Sequence, residues 1–168
     1  PKKRITIDNK NTVLNLKKIK TLNGVNNVNL TIYKGEVVGL LGLVGSGRTE
    51  ILRSIFGLDK IINGKIDFFD KKINLNKPGD AIKQGIVMIP EDRRKQGLVF
   101  TQNTRSNISI TDLNKVSKNQ IINSQKENLL VKELIKLLDI KPNQIEGNIS
   151  FYSGGNQQKV LFAKWIFS

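Results

Sequence analysis

The feature that most constrains the fold is a glycine-rich stretch, residues 42–49, that stands between an apolar run and a helix-forming segment. Residues 37–41 are almost continuously apolar, which is typical of a parallel strand buried on both faces. Residues 50–56 predict a helix that ends at Gly57. A strand, a glycine-rich turn and a helix in this order form the context in which a phosphate-binding loop occurs. The alternative is a strand-to-helix turn without a ligand.

The residue types in this loop suit phosphate groups. Glycines allow backbone N–H groups to curl around phosphate oxygens, and the following helix adds the positive end of its dipole. The hydroxyl of Thr49 is placed to reach Mg²⁺. Arg48 stands where such loops usually have Lys, and its planar guanidinium is bulkier and prefers bidentate contacts. We therefore expect nucleotide binding at this loop, with slow or absent hydrolysis.

Hydrophobic periodicity along the chain predicts strands that alternate with helices, and hence an α/β core. The predicted strands lie at residues 28–32, 37–41, 66–69 and 86–89, and short strand pieces around an Asn-rich turn are predicted at residues 4–16. The predicted helices lie at residues 50–56, 78–84, 124–138 and 154–168. Ser124 and Glu127 predict a capping box for the third helix, and Pro142 is expected to break it. The predicted buried strand at 86–89 precedes Glu91 and Asp92, which resembles a Walker B motif. Pro90 interrupts the pattern, so we do not expect a Walker B motif here.

Composition excludes several kinds of chemistry. The sequence has no Cys and no His, so disulfides, thiolate zinc sites, Cys nucleophiles and Ser-His triads are excluded. The net charge is +14, which raises the possibility of nucleic-acid binding. Because the basic residues are scattered and no stacking aromatics lie between them, a solvated surface or one facing anionic lipid explains the charge better. No apolar run approaches the ~20 residues of a membrane span.

A second motif near the C-terminus, taken together with the glycine-rich loop, indicates a family. It consists of Tyr152, Ser153, Gly154, Gly155, Asn156, Gln157, Gln158 and Lys159. Taken by itself, Ser-Gly-Gly is a helix N-cap after a loop. With both motifs in this order, the chain resembles the ATP-binding cassette (ABC) ATPases, whose signature reads Leu-Ser-Gly-Gly-Gln in most members.

The resemblance narrows to one subgroup of that family. Residues 45–50, 90–99, 153–159 and 163–165 are similar to the simple-sugar importers of ribose type. In that subgroup one polypeptide carries two tandem ATPase domains, and Arg in place of the loop Lys is characteristic of the second. The similarity extends from about Gly35 to Trp165.

The resemblance implies a fold and a set of site residues. The fold is an α/β P-loop NTPase with an ABC-type ATPase core, an antiparallel β subdomain and a helical subdomain at about residues 101–160. The ATP-binding residues are Gly42, Leu43, Val44, Gly45, Ser46, Gly47, Arg48, Thr49 and Glu50. The signature residues are Ser153, Gly154, Gly155, Asn156 and Gln157. Thr49 and Glu91, which stands at the Q-loop position, are the expected Mg²⁺ contacts.

The family's catalytic groups are not in this chain. A Walker B Asp, a catalytic Glu and a switch His follow the signature helix in relatives, whereas these 168 residues stop inside that helix. We therefore expect residues 1–168 to be one ABC nucleotide-binding domain, truncated after the signature helix or a remnant of such a domain. By itself the chain is expected to be inactive, and the tandem protein to be an ATPase.

Partners and location also follow from the resemblance. The cofactors are ATP and Mg²⁺; the partners are a second ABC nucleotide-binding domain, membrane permease subunits and, indirectly, a periplasmic or extracellular sugar-binding protein, with no nucleic acid. The expected location is the cytoplasmic face of the membrane. The function is ATP-driven uptake of a ribose-type sugar. Alternatives are a nucleoside or signalling-molecule importer of the same architecture, or a regulatory module that binds nucleotide without hydrolysis.

Overall fold

The structure is a computed structural model that describes residues 8–168. These residues form two compact units, the first ending at Met88 and the second comprising Ile89–Ser168. The part of the first predicted strand that precedes residue 8 lies outside the described residues. Across the described residues, every helix is too short or too polar to cross a membrane.

An antiparallel sheet organises the first unit. Its strands are β1 (Asp8–Thr21), β2 (Val28–Lys34), β3 (Ile61–Phe68) and β4 (Lys71–Ile73), in the order β2-β1-β3-β4. The strand predicted at 28–32 is confirmed, and the one at 66–69 is the end of the longer β3. Phe69 and Asp70 form the turn to β4 with φ of 46° and 59°, as a two-residue type I′ hairpin turn requires.

The central strand β1 is a single strand, whereas the sequence predicted short pieces. It pairs with β2 on one side and β3 on the other, with irregular register near Lys18, whose φ is 51°. An extra residue in one strand of a pair bends it and increases its twist. Long polar stretches such as this one carry a weak alternation signal, so the sequence understates how far the pairing continues.

Two helices complete the first unit, α1 (Arg48–Ile55) and α2 (Pro78–Lys83). Both are confirmed, and each is followed by a glycine with positive φ, Gly57 and Gly85, both at 79°. Glycine adopts this left-handed conformation without the clash that a Cβ causes, and so ends a helix readily. The buried apolar residues of this unit are Leu14, Leu16, Ile19, Val25, Ile55, Phe56, Ile66, Leu75 and Ala81.

The two predicted parallel strands are wrong for the described residues. Segments 37–41 and 86–89 form no strand there, and Val37 and Leu41 are 93% and 96% exposed. A run of apolar residues indicates that a segment prefers burial, but a strand also needs a neighbour to satisfy its N–H and C=O groups. The antiparallel sheet does not supply that neighbour, so neither segment pairs as a strand within the described residues.

Asp59, just after α1, makes part of the first unit's stability depend on pH. Arg53 donates to its carboxylate through Nε at 2.9 Å and Nη2 at 3.0 Å. These hydrogen bonds hold the pKa of Asp59 below its usual 3.8, although burial opposes the shift. A lowered pKa stabilises the folded state above pH 3.8, and this contribution is lost as the pH falls through the folded-state pKa.

We therefore expect Asp59→Asn to lower the free energy of unfolding of this unit by about 1 kcal/mol at pH 7, because Arg53 is partly exposed and solvent screens the pair. The difference from wild type should shrink as the pH falls below 3.8. Urea denaturation at several pH values measures it. Asp70→Asn in the exposed hairpin turn is the matched control, and an equal loss there would contradict the assignment.

The second unit is a helical cluster. Its helices are α3 (Thr104–Ser109), α4 (Ser124–Leu137) and α5 (Gly154–Phe167), with a π-helical turn at Arg93–Gly97 and a small hairpin of β5 (Ser117–Lys118) and β6 (Ile121–Ile122). The apolar core consists of Leu98, Ile108, Val116, Val131, Ile135, Ile140, Ile149, Tyr152, Val160, Leu161, Ala163 and Phe167. The helices predicted at 124–138 and 154–168 are thus confirmed.

The ends of α4 differ from the prediction. Asn123, and not Ser124, is the N-cap, since its Oδ1 accepts from the N–H of Lys126 at 3.0 Å. Glu127 is buried and accepts from Ser109 Oγ at 2.5 Å, so it cannot complete a capping box. The helix ends before Pro142 because Asp139 adopts a φ of 48°, and Ile140 N–H donates to the carbonyl of Ile135 at 3.0 Å, as in a Schellman motif.

Candidate functional site

The glycine-rich loop bends as a phosphate cradle requires. Gly45 and Gly47 have φ of 81° and 87°, a left-handed conformation that residues with a Cβ rarely adopt. The N–H of Ser46 donates to the carbonyl of Leu43 at 3.1 Å and closes the turn. Any Cβ on Gly42 would collide with Ser46 Oγ. The glycines at 42, 45 and 47 are therefore explained by the loop's own geometry.

Helix α1 begins directly after this loop. Gly47 is its N-cap and offers no side chain to the first N–H groups, so no side-chain cap forms at this end. The first turn carries Thr49 and Glu50. The loop is open to solvent, with Leu43 85% and Val44 98% exposed. The positive end of α1 is thus accessible to an anion, which is the arrangement that phosphate groups occupy at helix N-termini.

Arg48 is the first residue of α1 and turns back over the loop. Its Nη2 donates to the carbonyl of Leu43 at 3.4 Å, and its Cδ lies 3.6 Å from the position of a Cβ built on Gly42. The guanidinium therefore already lies beside the cradle and adds a full positive charge to the helix dipole. A phosphate group entering the loop can take up its remaining donors.

The Ser-Gly-Gly turn caps the N-terminus of α5. Ser153 Oγ accepts from the N–H of Asn156 at 3.5 Å and from Asn156 Nδ2 at 3.0 Å. The Oδ1 of Asn156 in turn accepts from the N–H of Lys141 at 2.8 Å, which fixes the amide. Since Ser153 Oγ accepts from two donors, its own proton is available to donate outward. A Cβ on Gly155 would meet nothing within 4 Å, so this face is open.

Gln157 has a different position from the other signature residues. It is only 2% exposed, and its Nε2 donates to the carbonyls of Tyr152 at 2.9 Å and Ile149 at 3.3 Å. Its Oε1 accepts from Arg93 Nε at 3.0 Å. All of its hydrogen-bonding groups are therefore used inside the unit, and its contribution is to hold the turn in place.

The two expected metal contacts lie in different units. Thr49 is in the first turn of α1, and Glu91 is exposed just before the π-helical turn. Asp92 beside it caps that turn, with Oδ1 accepting from the N–H of Arg94 at 2.9 Å and of Lys95 at 3.1 Å. Residues 8–168 contain no cluster of three or more acidic, His or Cys side chains that could hold a metal ion. A hard oxygen ligand at Thr49 suits Mg²⁺ carried by phosphate oxygens.

Two residues outside the predicted site attach the π-helical turn to α5. Arg93 donates to Gln157 beside the Ser-Gly-Gly turn, and Lys164 donates from Nζ to the carbonyl of Gly97 at 3.0 Å. Burial lowers the pKa of Lys164 below its usual value. The segment around Arg93 was noticed as a shared motif, but nothing in its local pattern indicates a partner 64 residues away. Only the fold reveals that contact.

Comparison with known sequences finds a matching family model and similar curated proteins. A family model described as ABC transporter matches residues 25–168. The ribose import ATP-binding protein of Clostridium tetani is 43% identical over 86% of this chain and 29% of its own length. The putative ribose/galactose/methyl galactoside import ATP-binding protein 1 of Rhizobium etli is 38% identical over 99% of this chain and 31% of its own length. The chain thus spans about a third of the length of these curated relatives.

Solved structures share the fold. A cassette of the cbiONQ ABC transporter complex from Clostridium perfringens has a TM-score of 0.73 at 19% identity, covering 94% of this chain and 62% of its own. A bacterial ABC transporter cassette solved as a dimer has a TM-score of 0.69 at 23% identity, covering 92% of this chain and 69% of its own. At this identity the likeness concerns the fold, and it confirms the predicted α/β P-loop class.

Proposed function

Because this chain belongs to the ABC transporter family, we propose that it binds ATP as part of a motor for uptake of a ribose-type sugar. The observation that carries the proposal is the accessible N-terminus of α1, preceded by a loop with two left-handed glycines and covered on one side by Arg48. A polyphosphate tail matches that combination of backbone donors, dipole and cation.

We further propose that the chain is one part of a longer nucleotide-binding domain. The apolar segments at 37–41 and 86–89 expose Val37, Leu41 and Val87, and the relatives are about three times as long as the matched region. Strands from chain outside the 168 residues would pair with these segments and bury them. The second unit, Ile89–Ser168, corresponds in this proposal to the helical subdomain expected at about residues 101–160.

At the loop, the residues bind and position ATP. Backbone N–H groups of residues 42–49 surround the phosphates, Arg48 neutralises their charge, and the Thr49 hydroxyl is the proposed oxygen contact to the metal. Glu91, in the second unit, is a separate proposed metal contact. Mg²⁺, when bound, would neutralise part of the negative charge of the phosphates. Such catalysis consists mostly of positioning and electrostatic stabilisation.

The Ser-Gly-Gly turn serves a second ATP. In the proposed arrangement two such domains pack head to tail, so that Ser153, Gly154, Gly155 and Asn156 face the phosphates held by the loop of the other domain. The outward proton of Ser153 then donates to a phosphate oxygen, next to the positive end of α5. The competent site is thus the partner's loop completed by this turn, while the loop with Arg48 forms the weak site.

The remaining partners follow from the same proposal. Closure around ATP would move membrane permease subunits through contacts near residues 91–97, and a sugar-binding protein outside the cell would deliver the substrate to them. The motor is then located at the cytoplasmic face of the membrane. ATP-dependent uptake of labelled ribose into vesicles containing the intact protein and its permease tests this function. Uptake of a nucleoside but not of ribose would favour the alternative cargo.

The weak-site assignment makes a specific prediction about Arg48. We expect Arg48→Ala to weaken ATP binding at its own loop by about tenfold, because a charged hydrogen bond to phosphate is lost. Steady-state ATPase of the intact protein should fall by less than about threefold, since turnover occurs at the other loop. Nucleotide titration and a phosphate-release assay measure the two quantities.

The matched control is Lys83→Ala, which removes an exposed cation from the end of α2 in the same unit. It should change neither quantity. Complete loss of ATPase with Arg48→Ala would show that the Arg48 loop is the site of turnover. Nucleotide affinity without any ATPase in the intact wild-type protein would instead favour the regulatory module.

A further inference from the structure

One arginine links the start of the second unit to the Ser-Gly-Gly turn. Arg93 begins the π-helical turn Arg93–Gly97, and its Nε donates to Gln157 Oε1 at 3.0 Å. Gln157 is buried and also binds the carbonyls of Tyr152 and Ile149, which lead into the turn. The Arg93 guanidinium is therefore linked to the turn through the Gln157 side chain, which these hydrogen bonds hold in one position.

The same guanidinium lies against the first residue of α5. A Cβ built on Gly154 would lie 2.8 Å from Arg93 Nη2, so the absence of a side chain at 154 is what admits this contact. Gly154 immediately follows Ser153, the N-cap of the helix. Arg93 is thus in direct contact with the turn proposed to face phosphate.

The other end of the π-helical turn is fixed to the same helix. Lys164 Nζ donates to the carbonyl of Gly97 at 3.0 Å, and a Cβ on Gly97 would lie 3.1 Å from Leu161 Cδ2. Leu98, directly after the turn, donates from its N–H to the carbonyl of Arg93 at 2.9 Å and closes it. Both ends of segment 93–97 are therefore attached to α5, one of them beside Ser153.

We propose that Arg93 is a positioning residue that makes segment 93–97 and the Ser-Gly-Gly turn move as one body, so that a displacement of this segment repositions Ser153. The inference rests on the proposed function, in which the permease meets residues 91–97 and Ser153 faces phosphate. A reacting group must be held within about 0.5 Å of its productive position. A planar guanidinium that donates to Gln157 through Nε and lies against Gly154 through Nη2 meets that need better than a flexible ammonium does.

The test is Arg93→Lys in the intact protein assembled with its membrane partner. Lysine keeps the charge but loses the Nε donor and the planar edge against Gly154. We expect kcat of the ATPase to fall about tenfold or more, because a displaced Ser153 stabilises the transition state less well. KM for ATP should stay within about twofold, since the loop at 42–49 is untouched.

Arg105→Lys is the matched control, because it makes the same change at another arginine of the same unit. The Arg105 side chain contacts Glu127, Glu146 and Asn128, none of which belongs to segment 93–97 or to the Ser-Gly-Gly turn. Its kcat, measured in the same assembly with the membrane partner, should remain at the wild-type value. A wild-type kcat for Arg93→Lys, or a rise in KM that matches the fall in kcat, would overturn the proposal.

A second variant covers the case in which Arg93→Lys does not fold. Gly154→Ala introduces a Cβ that would displace the Arg93 guanidinium from its position against α5. It should lower kcat in the same way, with KM unchanged. A wild-type kcat in Gly154→Ala would contradict the inference. Wild-type protein that binds no ATP would contradict the proposed function itself, a result that the Arg93 variants cannot produce.

Discussion

Ser153→Arg is expected to abolish ATP hydrolysis by the intact protein, with a loss of about a hundredfold or more in kcat. The substitution removes the oxygen that caps α5 and the outward proton that would donate to phosphate. It also places a long side chain on the open face beside Gly155, where the partner's nucleotide is proposed to lie. Phosphate release at saturating ATP measures the effect.

Two controls separate this effect from simple destabilisation. Loss of an N-cap costs about 1 kcal/mol, so Ser153→Arg protein should remain folded by circular dichroism. Ser150→Arg introduces the same side chain at an exposed serine three residues earlier, on the short helical turn Ile149–Phe151, and should retain wild-type activity. Full activity in Ser153→Arg, together with none in Arg48→Ala, would reverse the assignment of the two sites.

Gly64→Ala has the largest expected effect on stability. Gly64 has a φ of 107°, and a Cβ there would lie 2.7 Å from the carbonyl oxygens of both Lys17 and Lys18. These atoms are backbone of β1 at its irregular register, so they cannot move aside as a flexible side chain can. We expect the local free energy of opening of the β1–β3 pair to fall by about 3 kcal/mol or more.

Hydrogen–deuterium exchange of the β1 and β3 amides measures that opening, because local unfolding controls their exchange. About 3 kcal/mol corresponds to exchange faster by roughly a hundredfold. Gly79→Ala is the control, since a Cβ there meets nothing within 4 Å in α2 and alanine favours helix. Unchanged protection of β1 and β3 in Gly64→Ala would mean that the two strands do not approach as closely as described.

How far the sequence predicts this fold depends on where each segment's partners lie. Helix α1 and helix α5 follow from local signals, namely glycines, caps and apolar spacing. The apolar segments at 37–41 and 86–89 carry a burial signal, yet burial requires a neighbouring strand that the described residues do not provide. Pattern therefore predicts what a segment prefers, but not whether its partner is present.

The candidate site divides in the same way. The glycines of the loop and the Ser153 cap are local features, and spacing alone identified them. Gln157 was grouped with the signature because it is adjacent in sequence, whereas its helical position turns it inward to Arg93 and Tyr152. Asn123 and Ser124 are neighbouring polar residues that can each cap α4, and in the structure Asn123 is the N-cap. Glu127 accepts a hydrogen bond from Ser109 instead of completing a capping box.

Residues 42–49 are proposed to receive the phosphate tail of ATP. Titration of the intact, folded protein with Mg-ATP, followed through the backbone amide signals of that loop by NMR, tests it most directly. The amides of Gly45, Gly47 and Arg48 should shift and saturate with increasing ATP, while adenosine without phosphates leaves them in place. Loop amides that do not respond to Mg-ATP in a folded sample would contradict the account.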